Sequence, residues 1–199
     1  EYKDLLKLWM VAPELEGAGE FMDTVRAAGI HLAIGHSEAS PECVADAVRR
    51  GATICTHICD ATGTSIVPSR WEGTLEVPFD VACMLHDELF CEIINDAQGI
   101  HVRHDMVKFI IKAVGIDRVI AVTDACTGST DDTDVNIVDG DLFGSKLRMN
   151  QAARNFRRNI GLTEPEVFRV AALNPARALC MDHEVGSLEP GKQANVVIL

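Results

Sequence analysis

Basic side chains are scarce in this sequence. Its 199 residues contain 18 Lys and Arg against 30 Asp and Glu, which gives a formal net charge of −12. A nucleic-acid surface normally needs a stripe of positive charge, so this balance argues against a nucleic-acid partner. A local group of Arg and His side chains can still bind an anionic substrate inside an acidic protein.

Long apolar runs are also missing. No stretch approaches the roughly 20 apolar residues of a membrane-spanning helix, and no signal peptide is visible. The sequence therefore predicts a cytoplasmic protein without a membrane partner. A length of 199 residues allows one well-buried domain, but it is short for a complete eightfold β/α barrel of roughly 250 residues.

The seven cysteines show no pattern that would pair them. Their odd number and the lack of a secretory signal favour reduced thiols in a cytosolic protein. Cys55 and Cys59 have the C-x3-C spacing of a zinc pair, but no second pair completes the motif. A redox or structural zinc protein that depends on these cysteines is a minor alternative.

Strand-like and helix-like segments alternate along the chain. The apolar strand candidates are Leu6–Ala12, His31–Gly35, Thr53–Thr56, Val81–Leu85, Phe90–Ile94 and Val119–Thr123. Helical periodicity covers Gly19–Ala28, Pro41–Arg50, His104–Val114, Asn150–Asn159 and Glu164–Leu179, and the acidic stretch Gly128–Asp141 predicts a surface loop. Strands separated by helices of about ten residues imply parallel pairing. Because no G-x-G-x-x-G follows a strand, the pattern predicts an α/β fold of the β/α barrel type rather than an open dinucleotide-binding sheet.

Two histidines follow neighbouring strand candidates. His36 and His57 are separated by one predicted helix, which places both at the carboxyl ends of adjacent parallel strands. Imidazole is the commonest transition-metal ligand, so two converging rings make half of a metal site. A third strand candidate ends in Asp124, whose carboxylate is a candidate general base. These three residues together predict a metallohydrolase.

Two further residues are candidates for substrate contact. His101 follows another transition from strand to loop and is a candidate hydrogen-bond donor to a substrate. Arg70 lies in the loop after the His57 strand, where it is either a partner for an anionic group or an ordinary solvated side chain.

The motifs in this order resemble the N-acetylglucosamine-6-phosphate deacetylase family of the amidohydrolase superfamily. The landmarks are LWMVAPE (8–14), GHSEAS (35–40), GATICTH with DAT (51–62), GIHV (99–102), VTDA (122–125), DGDLFGSKLRMNQAARN (139–155), LNPARALCM (173–181) and GSLEPGKQANVVIL (186–199). The resemblance covers nearly the whole chain. It implies a (β/α)8 TIM-type barrel that lacks its N-terminal part, over residues 1–185. Residues 186–199 would then be the strand that returns to a small β domain, the rest of which is absent.

The resemblance also implies an activity. It is the metal-dependent hydrolysis of the N-acetyl amide of N-acetylglucosamine 6-phosphate to glucosamine 6-phosphate and acetate. The cofactor implied is a divalent metal ion, zinc in the first place and iron as the alternative, in a cytoplasmic homodimer. His36 and His57 would be the metal ligands and Asp124 the catalytic acid and base. The substrate contacts implied are Asp60, Ala61, Arg70, His101, Leu142, Phe143 and Gly144.

The chain departs from the family pattern at several positions. It has no H-x-E-G-P motif, which carries the family's metal-binding glutamate, and Glu14 of the APE motif is not its equivalent. Asp60 stands where the family has Asn, and Gln98 stands in the place of the acid in D-G-x-H. A carboxylate beside a phosphate is electrostatically unfavourable. Two alternatives therefore stay open: a related amidohydrolase that deacylates a different N-acyl substrate, and a degenerate homologue that binds a sugar without catalysis.

Overall fold

The computed structural model describes residues 5–62, 71–74, 76–126 and 133–196. The chain divides into two compact units, Glu1–Cys91 and Glu92–Leu199. Each unit combines strands with helices, so the α/β class predicted from the sequence is confirmed. Within the described residues, none of the helices has both the length and the apolar character needed to cross a membrane.

The first unit alternates strands and helices. Its elements are β1 (Leu8–Val11), α1 (Ala18–Ala27), β2 (His31–Ile34), α2 (Pro41–Arg49), β3 (Ala52–Cys55) and α3 (Phe79–Met84). Strand β4 (Phe90–Ile94) begins in the last residues of this unit and continues into the second unit. The pairings of β1 with β2, β2 with β3 and β3 with β4 are all parallel, as the helical connections predict. This alternation is what part of a β/α barrel provides.

Helix α2 shows how the local sequence fixes the elements of this unit. Ser40 has an extended backbone and its hydroxyl accepts a hydrogen bond from the Cys43 N–H at 3.3 Å, while Pro41 starts the first turn. Val44 and Ala47 lie one turn apart on the buried face of the helix. The helix therefore begins where the sequence predicts it and packs by its apolar stripe.

The predicted strand Val81–Leu85 is wrong, because these residues belong to helix α3 (Phe79–Met84). Phe79, Ala82 and Cys83 are buried at helical spacing, and Asp80 lies in the first turn after Pro78. A short apolar run has no period of its own, and the proline and acid that start the helix are the better guide.

The second unit holds the rest of β4 beside β5 (Val119–Val122), with α4 (His104–Val114) between them in the chain. Two further strands, β6 (Val135–Val138) and β7 (Asp141–Ser145), form an antiparallel pair. The loop predicted over Gly128–Asp141 is therefore wrong for Val135–Val138, whereas residues 127–132 lie outside the described part. The other elements are α5 (Met149–Asn155), α6 (Glu164–Phe168) and α7 (Asn174–Ala178), with π-helical turns at Phe156–Ile160 and Arg169–Leu173.

All three helices predicted in the second unit are present, and each of the last two, predicted over 150–159 and 164–179, contains a π-helical turn. Thr163 and Glu166 form a capping box at the start of the last one, with Pro165 in its first turn. Residues 186–196 contain no strand, and 197–199 lie outside the described part. The division into a barrel over 1–185 and a return strand over 186–199 stays a prediction.

Candidate functional site

Neighbouring strand ends approach each other closely in the first unit. The Thr56 N–H, just past β3, donates to the carbonyl of Ile34 at the end of β2 over 2.8 Å. A Cβ atom on Gly35 would lie 2.7 Å from the Thr56 Cβ, so a side chain at position 35 would push the strand ends apart. The residues that follow, His36 and His57, are thereby brought side by side.

The two imidazole rings face each other, each with its Nε2 atom toward the other ring. The Nε2 atoms of His36 and His57 are 2.9 Å apart, and the ring planes are perpendicular with centroids separated by 4.5 Å. His57 is buried, whereas His36 is exposed. The structure therefore brings together the two residues that the sequence predicts as metal ligands.

The tautomer of His57 follows from its second contact. Its Nδ1 lies 3.1 Å from the backbone carbonyl of Asp60, and a carbonyl oxygen can only accept a hydrogen bond. Nδ1 therefore carries the proton, and in the neutral ring Nε2 presents its lone pair toward His36. A hydrogen bond from the far nitrogen to a carbonyl is the usual support of a metal-binding histidine.

The donor set fits a borderline metal ion. Two neutral imidazole nitrogens that face a common point suit zinc or iron better than a hard cation such as magnesium. Among the described residues, no group of three or more His, Cys, Asp or Glu side chains is placed to hold a metal ion. The pair thus presents two nitrogen atoms at one point, and the role of both histidines as metal ligands stays a prediction.

Two carboxylates hold the loops that carry the histidines. Glu14 accepts the Ser37 hydroxyl at 2.6 Å and the Glu38 N–H at 2.9 Å, which fixes the chain after His36. Asp80 accepts the Cys59 N–H at 2.9 Å and the Thr62 hydroxyl at 2.8 Å, which fixes the turn after His57. Neither role was predicted from the sequence; the position of Glu14 inside the APE motif and that of Asp80 at a helix start were the available signals.

The cysteine alternative gains no support from this region. Burial raises the pKa of Cys59 to about 12. A hydrogen bond with Cys83, together with burial, raises the pKa of Cys55 well above its usual range. Both thiols are free, and their raised pKa values favour the protonated form.

The predicted ligands and the predicted acid share a rare backbone conformation. The φ angles of His36, His57 and Asp124 are +50°, +27° and +45°. Each lies two residues past the end of its strand, because β2 ends at Ile34, β3 at Cys55 and β5 at Val122. Non-glycine residues with positive φ cost about 1–3 kcal/mol and concentrate at functional sites. The strain therefore marks three equivalent strand ends.

In the second unit the backbone around Asp124 is tied to strand β7. The Ser145 N–H donates to the Asp124 carbonyl at 2.7 Å, the Cys126 N–H donates to the Ser145 carbonyl at 2.9 Å, and the Ser145 hydroxyl donates to the Thr123 carbonyl. The Asp124 carboxylate is exposed and has no hydrogen-bond or ion-pair partner within the described residues.

His101 lies next to this segment, buried between a carboxylate and a carbonyl. Its Nδ1 is 3.1 Å from the Asp96 carboxylate and its Nε2 is 3.1 Å from the Gly144 carbonyl. Burial raises the pKa of Asp96, but hydrogen bonds from the His101 ring and from three backbone N–H groups outweigh it and hold the pKa well below its usual range.

Asp96 is an acid in contact with His101 that was not identified from the sequence, where Gln98 stands in the place of the acid in D-G-x-H. It follows directly on the strand-like run FCEIIN, and the two extra residues of the NDAQGIH segment form a turn that still returns His101 to it. The position of an acid just past β4 was the signal that could have identified it.

The predicted sugar-binding segment lies on β7. Gly144 has a φ of +54°, and a Cβ atom there would lie 2.8 Å from the Asp124 carbonyl. Phe143 and Leu142 are 63% and 38% exposed, so their side chains are available to a ligand. The second unit therefore brings together three of the predicted regions: Asp124, His101 and the segment around Gly144.

The remaining predicted residues lie in or near the turn after His57. Asp60 is half-buried and its carbonyl orients His57, while Ala61 is exposed with a φ of +49°. Arg70 lies outside the described residues. Since the histidine pair and Asp124 belong to different units, their common pocket stays a prediction.

Comparison with known proteins decides the family. Residues 10–199 match the sequence model of the Amidohydrolase family. The chain belongs to this family. Membership implies a divalent metal cofactor, in agreement with the imidazole pair.

The three similar proteins described here are all deacetylases of amino-sugar phosphates. The chain is 31% identical to the N-acetylglucosamine-6-phosphate deacetylase of Vibrio furnissii, over 97% of this chain and 49% of that protein. It is 29% identical to the N-acetylgalactosamine-6-phosphate deacetylase of Escherichia coli O157:H7, over 98% of this chain and 53% of that protein. The crystal structure of N-acetylglucosamine-6-phosphate deacetylase from Pasteurella multocida superposes with a TM-score of 0.81 at 26% identity, over 96% of this chain and 52% of that one. The chain spans about half the length of the curated relatives it matches.

Proposed function

We propose that the protein hydrolyses the N-acetyl amide of an amino-sugar 6-phosphate, with N-acetylglucosamine 6-phosphate as the first candidate. The products are acetate and the free amino sugar phosphate. The observation that carries this proposal is the convergence of the His36 and His57 Nε2 atoms, 2.9 Å apart, in a member of the Amidohydrolase family. Relatives named as deacetylases of two amino-sugar phosphates support the substrate class.

His36 and His57 are the proposed ligands of a divalent ion, zinc before iron, because their donor atoms are neutral nitrogens. When bound, the ion supplies Lewis-acid polarisation to the acetyl carbonyl and to the attacking water. The Asp60 carbonyl holds His57 in the tautomer that leaves Nε2 unprotonated. Glu14 and Asp80 hold the two loops in place.

Asp124 is the proposed proton carrier. Its carboxylate takes a proton from the attacking water as the new C–O bond forms, and gives it to the amide nitrogen as the C–N bond breaks. The lack of a partner for this carboxylate within the described residues suits a group that must be ionised and then protonated in each turnover.

The finer assignments follow the same proposal. Asp60, Ala61 and Arg70 are the candidates for the phosphate end of the substrate, and Leu142–Gly144 for the sugar. His101 is the other candidate for the sugar; because its ring nitrogens contact Asp96 and Gly144, a bond to the substrate would have to replace the bond to the Gly144 carbonyl. The Asp60 carboxylate is unfavourable beside a phosphate, which makes phosphate dependence the most informative specificity test. A cytoplasmic homodimer completes the proposal.

The test is acetate release by the purified full protein supplied with zinc or ferrous ion. N-acetylglucosamine 6-phosphate, its galactosamine epimer and unphosphorylated N-acetylglucosamine are compared as substrates. We expect turnover of a phosphorylated substrate and loss of activity on chelation. Preference for the unphosphorylated sugar would contradict the phosphate assignment, and no acetate from any of the three would refute the proposed function.

A further inference from the structure

Asp96 is the centre of a buried hydrogen-bond cluster in the second unit. Its carboxylate accepts the N–H groups of Gln98 at 2.9 Å, Ile100 at 2.9 Å and His101 at 2.9 Å. The side chains of Asp96 and His101 are both fully buried. A buried carboxylate with this many donors is held in its ionised form, in agreement with its lowered pKa.

The charge of His101 follows from the nature of its two neighbours. Nδ1 faces the Asp96 carboxylate and Nε2 faces the Gly144 carbonyl, each at 3.1 Å. Both neighbours are acceptors only, so a neutral ring would satisfy one contact and set two lone pairs against each other at the other. The imidazolium donates at both nitrogens, and its charge compensates that of the buried carboxylate.

Gly144 connects this ion pair to the Asp124 segment. A Cβ atom on Gly144 would meet the Asp124 carbonyl at 2.8 Å, and the next residue, Ser145, donates its N–H to that carbonyl at 2.7 Å. Contacts thus run without a break from the Asp96 carboxylate through the His101 ring and β7 to the backbone of Asp124.

We propose that Asp96 is a positioning residue that holds His101 as a buried imidazolium, and that this imidazolium fixes β7 against the Asp124 segment. His101 is then unable to bind a metal ion, because neither ring nitrogen has a free lone pair. The kinetic part of this inference rests on the proposed deacetylase function, whereas the charge of the ring does not.

The direct measurement is the protonation of the His101 ring in the full protein by nitrogen-15 NMR at pH 7.5. Its signals are identified by their absence in His101→Gln. We expect two N–H protons on the wild-type ring and one in Asp96→Asn. A neutral His101 ring in the wild-type protein would overturn the inference, even if Asp96→Asn fails to fold.

Kinetics separate positioning from simple bracing of the loop. Asp96→Asn is expected to lower kcat/KM roughly 10- to 100-fold, the range for a residue that acts through another side chain. The double variant with His101→Gln should be no worse than His101→Gln alone, because both changes break the same chain of contacts. Losses that multiply instead would mean that Asp96 only braces the backbone.

Asp134→Asn is the matched control. Asp134 is also buried, but its carboxylate accepts the Ala97 N–H of the same loop at 2.8 Å and the Asn155 side-chain N–H at 3.2 Å rather than a bond from the His101 ring. It should lower the melting temperature and leave the His101 ring charged. If the wild-type protein releases no acetate, the proposed function fails and the ring measurement still decides the present inference.

Discussion

His57 and His101 both follow a strand of the parallel β/α pattern, yet their ring nitrogens meet different partners. His57 uses one nitrogen on the Asp60 carbonyl and turns the other toward His36. His101 has an acceptor at each nitrogen, the Asp96 carboxylate and the Gly144 carbonyl. The first arrangement leaves a lone pair for a metal ion, and the second leaves none. The neighbours of an imidazole, more than its place after a strand, decide its chemistry.

The loops of the two units are also held in different ways. In the first unit, Glu14 and Asp80 hold the histidine loops through backbone N–H and hydroxyl groups, and in the part of the chain that the structure describes neither carboxylate bonds to an imidazole ring. In the second unit, Asp96 binds both its own loop and the ring. Changes in the first unit should therefore act on metal binding, and changes in the second on turnover with the metal retained. The following predictions test that division, from the largest effect to the smallest.

Asp124→Asn removes the proposed proton carrier and nothing else, because the carboxylate has no partner within the described residues. We expect kcat to fall roughly 10²- to 10⁴-fold with unchanged metal content, measured by acetate release and elemental analysis. Asp139→Asn is the control, since Asp139 is exposed and also has a positive φ of +53°. Near-normal turnover in Asp124→Asn would remove Asp124 from the mechanism.

His36→Asn tests the first unit. The loss of a ligand should weaken metal binding by more than the roughly 10- to 100-fold that outer-shell changes cost. Asn is chosen because it tolerates the positive φ at this position. His183→Asn, on an exposed histidine paired with Glu184, should retain full metal. Full occupancy in His36→Asn would contradict the ligand role.

Gly144→Ala tests the second unit without replacing a titratable residue. The new methyl would meet the Asp124 carbonyl at 2.8 Å and the Cys126 Sγ at 2.9 Å, which should cost roughly 1–3 kcal/mol and displace Asp124. Gly140→Ala shares the backbone strain, with φ at +93°, but has open space around it. Turnover should drop in the first variant only, with metal retained in both. An equal effect of the two variants on turnover would rule out the close approach as its cause.

Glu14→Gln should have the smallest effect. The amide keeps one acceptor but places an NH2 group against either the Ser37 hydroxyl or the Glu38 N–H. At this exposed position we expect a loss of about 0.5–1.5 kcal/mol in metal binding, measured by competition with a chelator. The control is Glu16→Gln, two residues away. Unchanged metal affinity would show that the loop after His36 does not need its anchor.

The sequence predicts the elements that have a clear period and caps. Helix α2 begins at its Ser-Pro pair, and β2, β3 and β5 end where the apolar runs meet His36, His57 and Asp124. The prediction is wrong for Val81–Leu85 and Val135–Val138, because apolar runs this short do not distinguish helix, strand and loop without their neighbours in space. The π-helical turns inside the two last helices leave no periodic signal either.

Prediction of the candidate site from the sequence is limited in the same way. The histidine pair is predictable because both residues follow neighbouring strands, and parallel strands end at one edge. Asp96 is missed because it precedes His101 by five positions in the chain, and only the turn of the backbone between them brings the two side chains into contact. The roles of Glu14 and Asp80 depend on contacts across 24 and 21 residues, which a single sequence does not reveal.

The left-handed backbone at His36, His57 and Asp124 has an evolutionary consequence. Glycine adopts this conformation without strain, so replacement by glycine at any of the three would relieve the fold while removing the functional group. Selection for heat resistance alone would then favour glycine at these three positions. Retention of two imidazoles and a carboxylate there is what selection for activity, against that tendency, would leave behind.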